Sequence, residues 1–552
     1  MNISLLDWLV VAAYFVFIAG IGIYVGLRVK DTSHYFLGNR KFGRWLMMGQ
    51  SFGVGTHAEM PVSLAGAVYQ VGASGIWYQW KNLFVTPFLW IMAPVLRRFR
   101  RTTMAEVMED RYGPWMGGVY IVFALAFFTL ESASMLKGAA KVIDQATGGG
   151  IGPDRIIFGM TVAYLVYSFV GGLVAAAWTD FFQGFLIVVL SFMLVPLGFA
   201  AVGGPAGIGE ALSAAKLTLA APEGIGLWMI VALTINGLVG IMSQPHMIAS
   251  VGTGKTEKTC REGFFYGMWV KRVCTIGWAL VGLIVAAMVI QGKFGVTTLA
   301  DPEDAFGFAC RHLLFPGGLG LLIASILAAN MSTCSAFMVD SGALFTQGLY
   351  SRRIAPGRPD RHYLLVGRLS GVAIAIASVI YAYLFIDRVL YSFLLSETLA
   401  TYMGICVLGG IVWPRANRWG ALASLVVSIA VNFTLYSWMG KRLDSWDPNV
   451  FLFSLAAGTA ALVIASLATP PEPEVSTALF FKNLETSTDE PSAKTGKDGG
   501  ALLLVNMLNL RRGARGKGIY ATYRSDLNGF AIGWLIAFGL VGGLWLLFKL
   551  WF

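Results

Sequence analysis

Residues 44–70 read RWLMMGQSFGVGTHAEMPVSLAGAVYQ. The stretch is long and apolar enough to cross a bilayer, yet it carries Gly49, Gly53, Gly55, Pro61 and Gly66. These residues weaken a helix. A second such stretch, residues 224–250, holds Gly237, Gly240 and Pro245. Two interrupted spans at matching positions of two halves point to a carrier built from inverted repeats, with its site where the helices unwind. His57 and Glu59 lie just past the first group of glycines, where unwound backbone would aim them at a central cavity. A structural hydrogen bond is the competing role for His57.

Composition supports a lipid-embedded chain. Of the 552 residues 56% are hydrophobic and 13% charged, whereas soluble domains carry about 25% charged residues. The net charge of +11 does not indicate nucleic acid, because the basic residues sit in short loops between apolar runs. The five cysteines, Cys260, Cys274, Cys310, Cys334 and Cys406, have no metal-ligand spacing and read as packing residues. Runs of about 20 apolar residues mark about fourteen spans. They fall at 5–27, 44–70, 74–95, 114–147, 155–175, 179–201, 224–250, 265–291, 314–346, 363–386, 389–412, 420–438, 450–469 and 527–552.

Lys and Arg favour the loops after odd-numbered spans by about three to one, which makes those loops cytoplasmic and puts both termini outside. Lys30, Arg97, Arg98 and Arg352 belong to the rich set; Lys216, Lys293 and Arg442 belong to the poor one. Residues 470–526, with TSTDEPSAKTGKDGG, read as a flexible cytoplasmic loop. Within it, 501–510 followed by Arg511, Arg512 and Arg515 suits either an interfacial helix or a short helix packed on the protein body.

The polar groups inside spans come next, since a charge at a helix centre costs about 2.5–3.5 kcal/mol on insertion scales. In ILAANMSTCSAFMVDSGAL, residues 326–344, Ala329, Ser332, Thr333, Ala336 and Asp340 recur at helical steps and share a face. Adjacent hydroxyls suit a hard cation; alternatively they bond back to the preceding turn. Asp180 opens the sixth span and suits a helix cap. Glu131 lies near the middle of the fourth span, six residues from Lys137 and so poorly spaced to pair with it. No phosphate-binding loop, HExxH or GxSxG motif stands in a plausible setting, which argues against a nucleotide-driven pump or a hydrolase.

Four segments together resemble the sodium/solute symporter family in that family's order: SHYFLGNRKFGRW (33–45), GGLVAAAWTDFFQ (171–183), MSQPHMIASV (242–251) and ILAANMSTCSAF (326–337). The resemblance covers nearly the whole chain. It implies an all-α fold with a core of five plus five inverted helices. Residues 44–201 and 202–413 are then the two repeats. Residues 1–43 hold the first flanking helix and its loop, 414–469 further flanking helices, 470–526 the cytoplasmic loop and 527–552 the last span. It implies no enzyme but a carrier that uses a sodium gradient to move a small organic solute. A transporter-like sensor and a sodium-independent carrier are the alternatives.

By position, the family's sodium ion would meet the carbonyls of Gly53, Thr56 and Ala329 and the hydroxyls of Ser332 and Thr333. A second ion would use Asp180 and Ser335, but Ala336 stands where a further hydroxyl is needed. The solute-facing candidates are His57, Glu59, Gln79, Asn82, Glu131, Ser243 and Gln244. Sugar carriers place Asn, Gln and Glu where Gly55, Met60 and Gln79 stand here. Proline carriers place an aromatic hydroxyl at Glu131. Read alone, Glu131 favours a cationic or hydroxyl-bearing solute over an anionic one. The partners implied are the solute and the lipid bilayer, with no nucleic acid; the oligomeric state stays open.

Overall fold

A computed structural model describes residues 3–552 apart from 30, 222–223, 387, 442–445, 490–499 and 515–517. Lys30, Arg442 and Arg515, used above, lie outside the described residues. The described chain is almost entirely helical. Among the described residues ten helices are long and apolar enough to cross a membrane: Leu5–Gly26, Pro114–Thr147, Gly171–Val202, Glu257–Ile290, Gly318–Ile354, Asp360–Leu384, Val389–Val412, Arg418–Trp438, Pro448–Ala468 and Ile519–Trp551. The chain is a multi-pass membrane protein. Its outer surface exposes Trp8, Phe17, Val122, Ile380 and Phe538, as a surface solvated by lipid does.

Of the fourteen expected spans, those at 44–70, 74–95, 155–175 and 224–250 are not among these ten. Residues 44–70 form Arg44–Val54 and Glu59–Val71 with a break between them. Pro61 falls in the first turn of the second piece, where the backbone needs no N–H. Residues 224–250 form Leu227–Gly240, a tight turn to Ser243, then Met247–Val251. The third expected span begins with short helical turns over 73–83 and continues as Thr86–Arg98.

The fifth and sixth expected spans differ in another way. They form one unit, Pro153–Phe192, that turns at a single residue, Gly172 (φ 57°, ψ −150°). A side chain there would lie 2.5 Å from the Tyr35 ring. Tyr35 closes the turn by donating its hydroxyl to the Ser168 carbonyl at 3.0 Å. Its own short helix, Thr32–Leu37, is capped by Asp31, which accepts from the His34 N–H at 2.7 Å, and ends at left-handed Gly38. Asp180 therefore lies inside a helix rather than at a cap.

The helix Gly318–Phe345 occupies the centre and is buried along nearly its whole length. It packs against Leu5–Gly26, Pro114–Thr147, Pro153–Phe192 and Asp360–Leu384. Close approach uses glycine: Gly342 meets the Gly367 carbonyl and Gly371 the Met338 carbonyl, with no room for a Cβ at either. Buried Asp7, from another helix, caps the central one by accepting from the N–H groups of Gly317 and Gly320 at 2.8 and 2.7 Å.

The 470–526 stretch is less loop-like than its composition suggests. It includes the helix Glu474–Glu485, whose Phe480 and Leu484 are buried. Arg98 donates to the Leu484 carbonyl at 2.8 Å, and Arg418 pairs with Glu472. Leu502 and Leu504 are also buried against the protein body, while Met507 and Leu508 are exposed.

Candidate functional site

The two helix breaks meet at the centre of the molecule. At the first, Gly55 and Thr56 close a tight turn through N–H bonds to the carbonyls of Ser51 (3.2 Å) and Gly53 (3.1 Å). His57 spans the break: Nε2 lies 2.9 Å from the Val54 carbonyl and Nδ1 2.6 Å from the Glu59 carboxylate. Both ring nitrogens face oxygens, so a proton is held between His57 and Glu59. At the second break, Gln244 is extended and Pro245 has no N–H to continue the ladder.

On one side of the first break, oxygens converge. The Thr333 hydroxyl lies 3.4 Å from the Gly53 carbonyl and 3.3 Å from that of Val54. Both separations are looser than a good O–H···O bond of about 2.5–3.0 Å. The hydroxyls of Ser332 and Thr56 and both carboxylate oxygens of Asp180 are buried without a protein partner. Asp180 packs against Gly53, where an added Cβ would stand 3.0 Å from the aspartate's own. Ser335 instead donates back to the Ser332 carbonyl at 2.8 Å. Back-bonding thus accounts for Ser335, while Thr333 turns across to the broken helix. Carbonyl, hydroxyl and carboxylate oxygens with unspent lone pairs fit a hard cation such as sodium. Among the described residues no group of His, Cys, Asp and Glu suits a transition metal.

On the other side lies a cavity of about 60 Å³, room for a few waters. Four of the expected solute residues line it: His57, Asn82, Glu131 and Gln244. Three do not. Glu59 sits behind His57; the Ser243 hydroxyl is spent on the carbonyls of Gly240 and Ala400; Gln79 is buried away from the cavity with its amide unpartnered. Glu131 accepts the Ser396 hydroxyl proton.

The cavity also holds ionisable side chains that the sequence pattern did not single out: His246, Lys271, Arg272 and Glu397. Lys81 pairs with Glu397, Lys271 donates to the Gly55 carbonyl, and Arg272 donates through Nε to the Thr86 hydroxyl at 3.1 Å. A usable signal was present. Lys271 and Arg272 are adjacent charges midway along an apolar run, a pattern that marks a functional site by default.

The pattern of the sodium:solute symporter family matches residues 35–428. The osmoregulated proline transporter OpuE of Bacillus subtilis is 27% identical over 486 residues, covering 85% of this chain and 96% of that protein. The high-affinity proline transporter PutP of the same organism is 27% identical over 81% of this chain and 93% of its own length. A sodium/proline symporter of Staphylococcus aureus is 25% identical over 83% and 91%. Among solved structures, a substrate-bound, outward-open Na+-coupled sialic acid symporter superposes with a TM-score of 0.73 at 18% identity, covering 85% of this chain and 99% of that one. A nucleobase-cation-symport-1 family transporter in a closed conformation gives 0.52 at 14% identity over 81% and 98%.

Proposed function

Because the chain belongs to the sodium:solute symporter family, we propose that it carries a small organic solute across the membrane with sodium, by alternating access around the two helix breaks. The observation that carries this reading is the set of oxygens at the first break. The Thr333 hydroxyl reaches the Gly53 and Val54 carbonyls, Asp180 packs against Gly53, and the hydroxyls of Ser332 and Thr56 and the Asp180 carboxylate are buried with no protein partner, next to a separate polar cavity. An ion and a solute so placed would share the unwound segment, which lets each favour the conformation the other needs.

In finer detail, the fold reads as fourteen spans around inverted repeats at 44–201 and 202–413. Joining the two broken helices, counting Thr86–Arg98 and splitting Pro153–Phe192 at Gly172 supports that number. Sodium meets the carbonyls of Gly53, Thr56 and Ala329 with the hydroxyls of Ser332 and Thr333. Asp180 and Ser335 make a weaker second site, short of an oxygen at Ala336. Both termini are outside and 470–526 is cytoplasmic. The named relatives transport proline, yet the charged cavity gives reason to test other solutes.

Uptake of a labelled solute library into proteoliposomes, with and without an inward sodium gradient, tests the reading. Accumulation above equilibrium that needs sodium is expected. Equal uptake in potassium would make the protein a sodium-independent carrier, and saturable binding without uptake would make it a sensor.

A further inference from the structure

The charges around the solute cavity do not balance. Lys81 is matched by Glu397, and His57 by Glu59. Glu131 is held by a neutral hydroxyl, that of Ser396. Lys271 and Arg272 remain. Lys271 donates to a backbone carbonyl, Gly55, and Arg272 to the Thr86 hydroxyl, while the Arg272 Nη1 is buried without a partner. Among the described residues neither has an acidic partner within ion-pair distance, although both are buried, with 5% and 2% of their surfaces exposed. Both line the cavity. Two unmatched cations against one unmatched carboxylate leave a net positive site. Buried cations of this kind are stable when an oxyanion supplies their missing bonds.

On the symport reading given above, we propose that the transported solute bears a carboxylate and that Lys271 and Arg272 receive it. The guanidinium offers its free Nη1 edge and the ammonium offers protons now spent on Gly55. Any amino group on the same solute meets Glu131, and the stacked rings of Phe127 and His246 wall the apolar part. Glu131 by itself points to a cationic solute; the adjacent Lys271 and Arg272 reverse that balance.

The position of Lys271 adds a consequence. Its ammonium is bound at Gly55, between Gly53 and Thr56, whose carbonyls belong to the sodium site as read above. A solute carboxylate that neutralises Lys271 removes a like charge from beside the ion. Solute and sodium then raise each other's affinity by one common factor.

The test uses the purified full-length chain in lipid nanodiscs. Sodium is titrated first against potassium with no solute present, with thermal stability as the readout; this arm bears on the symport reading alone. Four acids (propionate, lactate, alanine and proline) are then compared with their amides. At least one acid is expected to bind about tenfold or more tighter than its amide, as loss of a charge-assisted bond pair implies. That acid is expected to lower the sodium concentration for half-saturation. Lys271→Gln is expected to abolish the acid preference and, by removing the like charge at Gly55, to lower the solute-free sodium midpoint; its sodium-dependent melting shift shows it folded, and Lys271→Arg is expected to restore part of the preference. Preference for alanine over propionate supports the proposal with Glu131 taking the amine; the opposite order supports it with the carboxylate alone. Acids that bind no better than their amides, or not at all, overturn it. So does a sodium-responsive Lys271→Gln protein that still prefers acids. Acid binding without any sodium response overturns the symport reading and leaves the carboxylate site standing.

Discussion

At the scale of single residues, two hydroxyls two positions apart have different fates. Thr333 reaches across to the Gly53 and Val54 carbonyls, while Ser335 turns back to its own helix. On the proposed sodium site Thr333→Ala removes one of the oxygen ligands, so the sodium concentration for half-maximal uptake is expected to rise about tenfold or more. Ser335→Ala removes a hydroxyl already satisfied within its helix and is expected to change that value by about twofold at most. Sodium dependence of uptake by the two variants checks this. Equal losses with a Hill coefficient above one would mean that two ions bind and that Ala336 does not weaken the second site. That Thr333 turns toward the broken helix was legible through the family resemblance, because period and oxygen chemistry alone left back-bonding to its own helix open. Lys271 and Arg272 were not, because the apolar run around them dominates any reading by hydropathy.

At the scale of elements, glycine meant different things in one stretch. Gly53 and Gly55 stand at the break, whereas Gly49 and Gly66 lie inside helices that press against Phe181 and the Pro302–Glu303 backbone. Sequence marks both kinds alike, yet the break falls between Val54 and Glu59, beside the His57 and Glu59 to which the first glycines pointed. Gly172 was missed because a turn made by one residue leaves no polar loop in the pattern. Gly172→Ala is expected to abolish folded protein: its positive-φ backbone, open almost only to glycine, costs a side chain about 1–3 kcal/mol, and the new Cβ would lie 2.6 Å from the Tyr35 carbonyl. Gly159→Ala, in the same unit but with open space around it, is expected to leave yield and melting temperature unchanged. Fluorescence-detected size-exclusion profiles of the two variants decide it. A normal Gly172→Ala profile would mean that the Thr32–Leu37 segment does not fix this turn.

At the scale of the whole molecule, thiol labelling reads orientation and an imposed potential reads the charge moved. All five native cysteines are buried, so introduced ones report cleanly. Exposed Ser213→Cys is expected to react with an impermeant thiol reagent on intact cells and exposed Ser476→Cys only after lysis; the reverse pattern would invert the topology. The charge moved per cycle then joins the two sites. It equals the number of sodium ions plus the charge of the solute. One sodium with a zwitterion moves one positive charge, while one sodium with a monocarboxylate moves none. Each charge crossing 100 mV is worth about 2.3 kcal/mol, or roughly fiftyfold in accumulation. An inside-negative potential imposed on proteoliposomes is therefore expected to drive alanine, if alanine is a substrate, toward that limit. The same potential is expected to leave propionate at the level set by the sodium gradient alone. Propionate that responds as one charge would require a second monovalent cation in the cycle, and Asp180 and Ser335 would be the first place to look for it despite Ala336. Alanine that ignores the potential would require one charge to be returned within the cycle, and the buried His57–Glu59 and Lys81–Glu397 pairs would then be the first places to look for it.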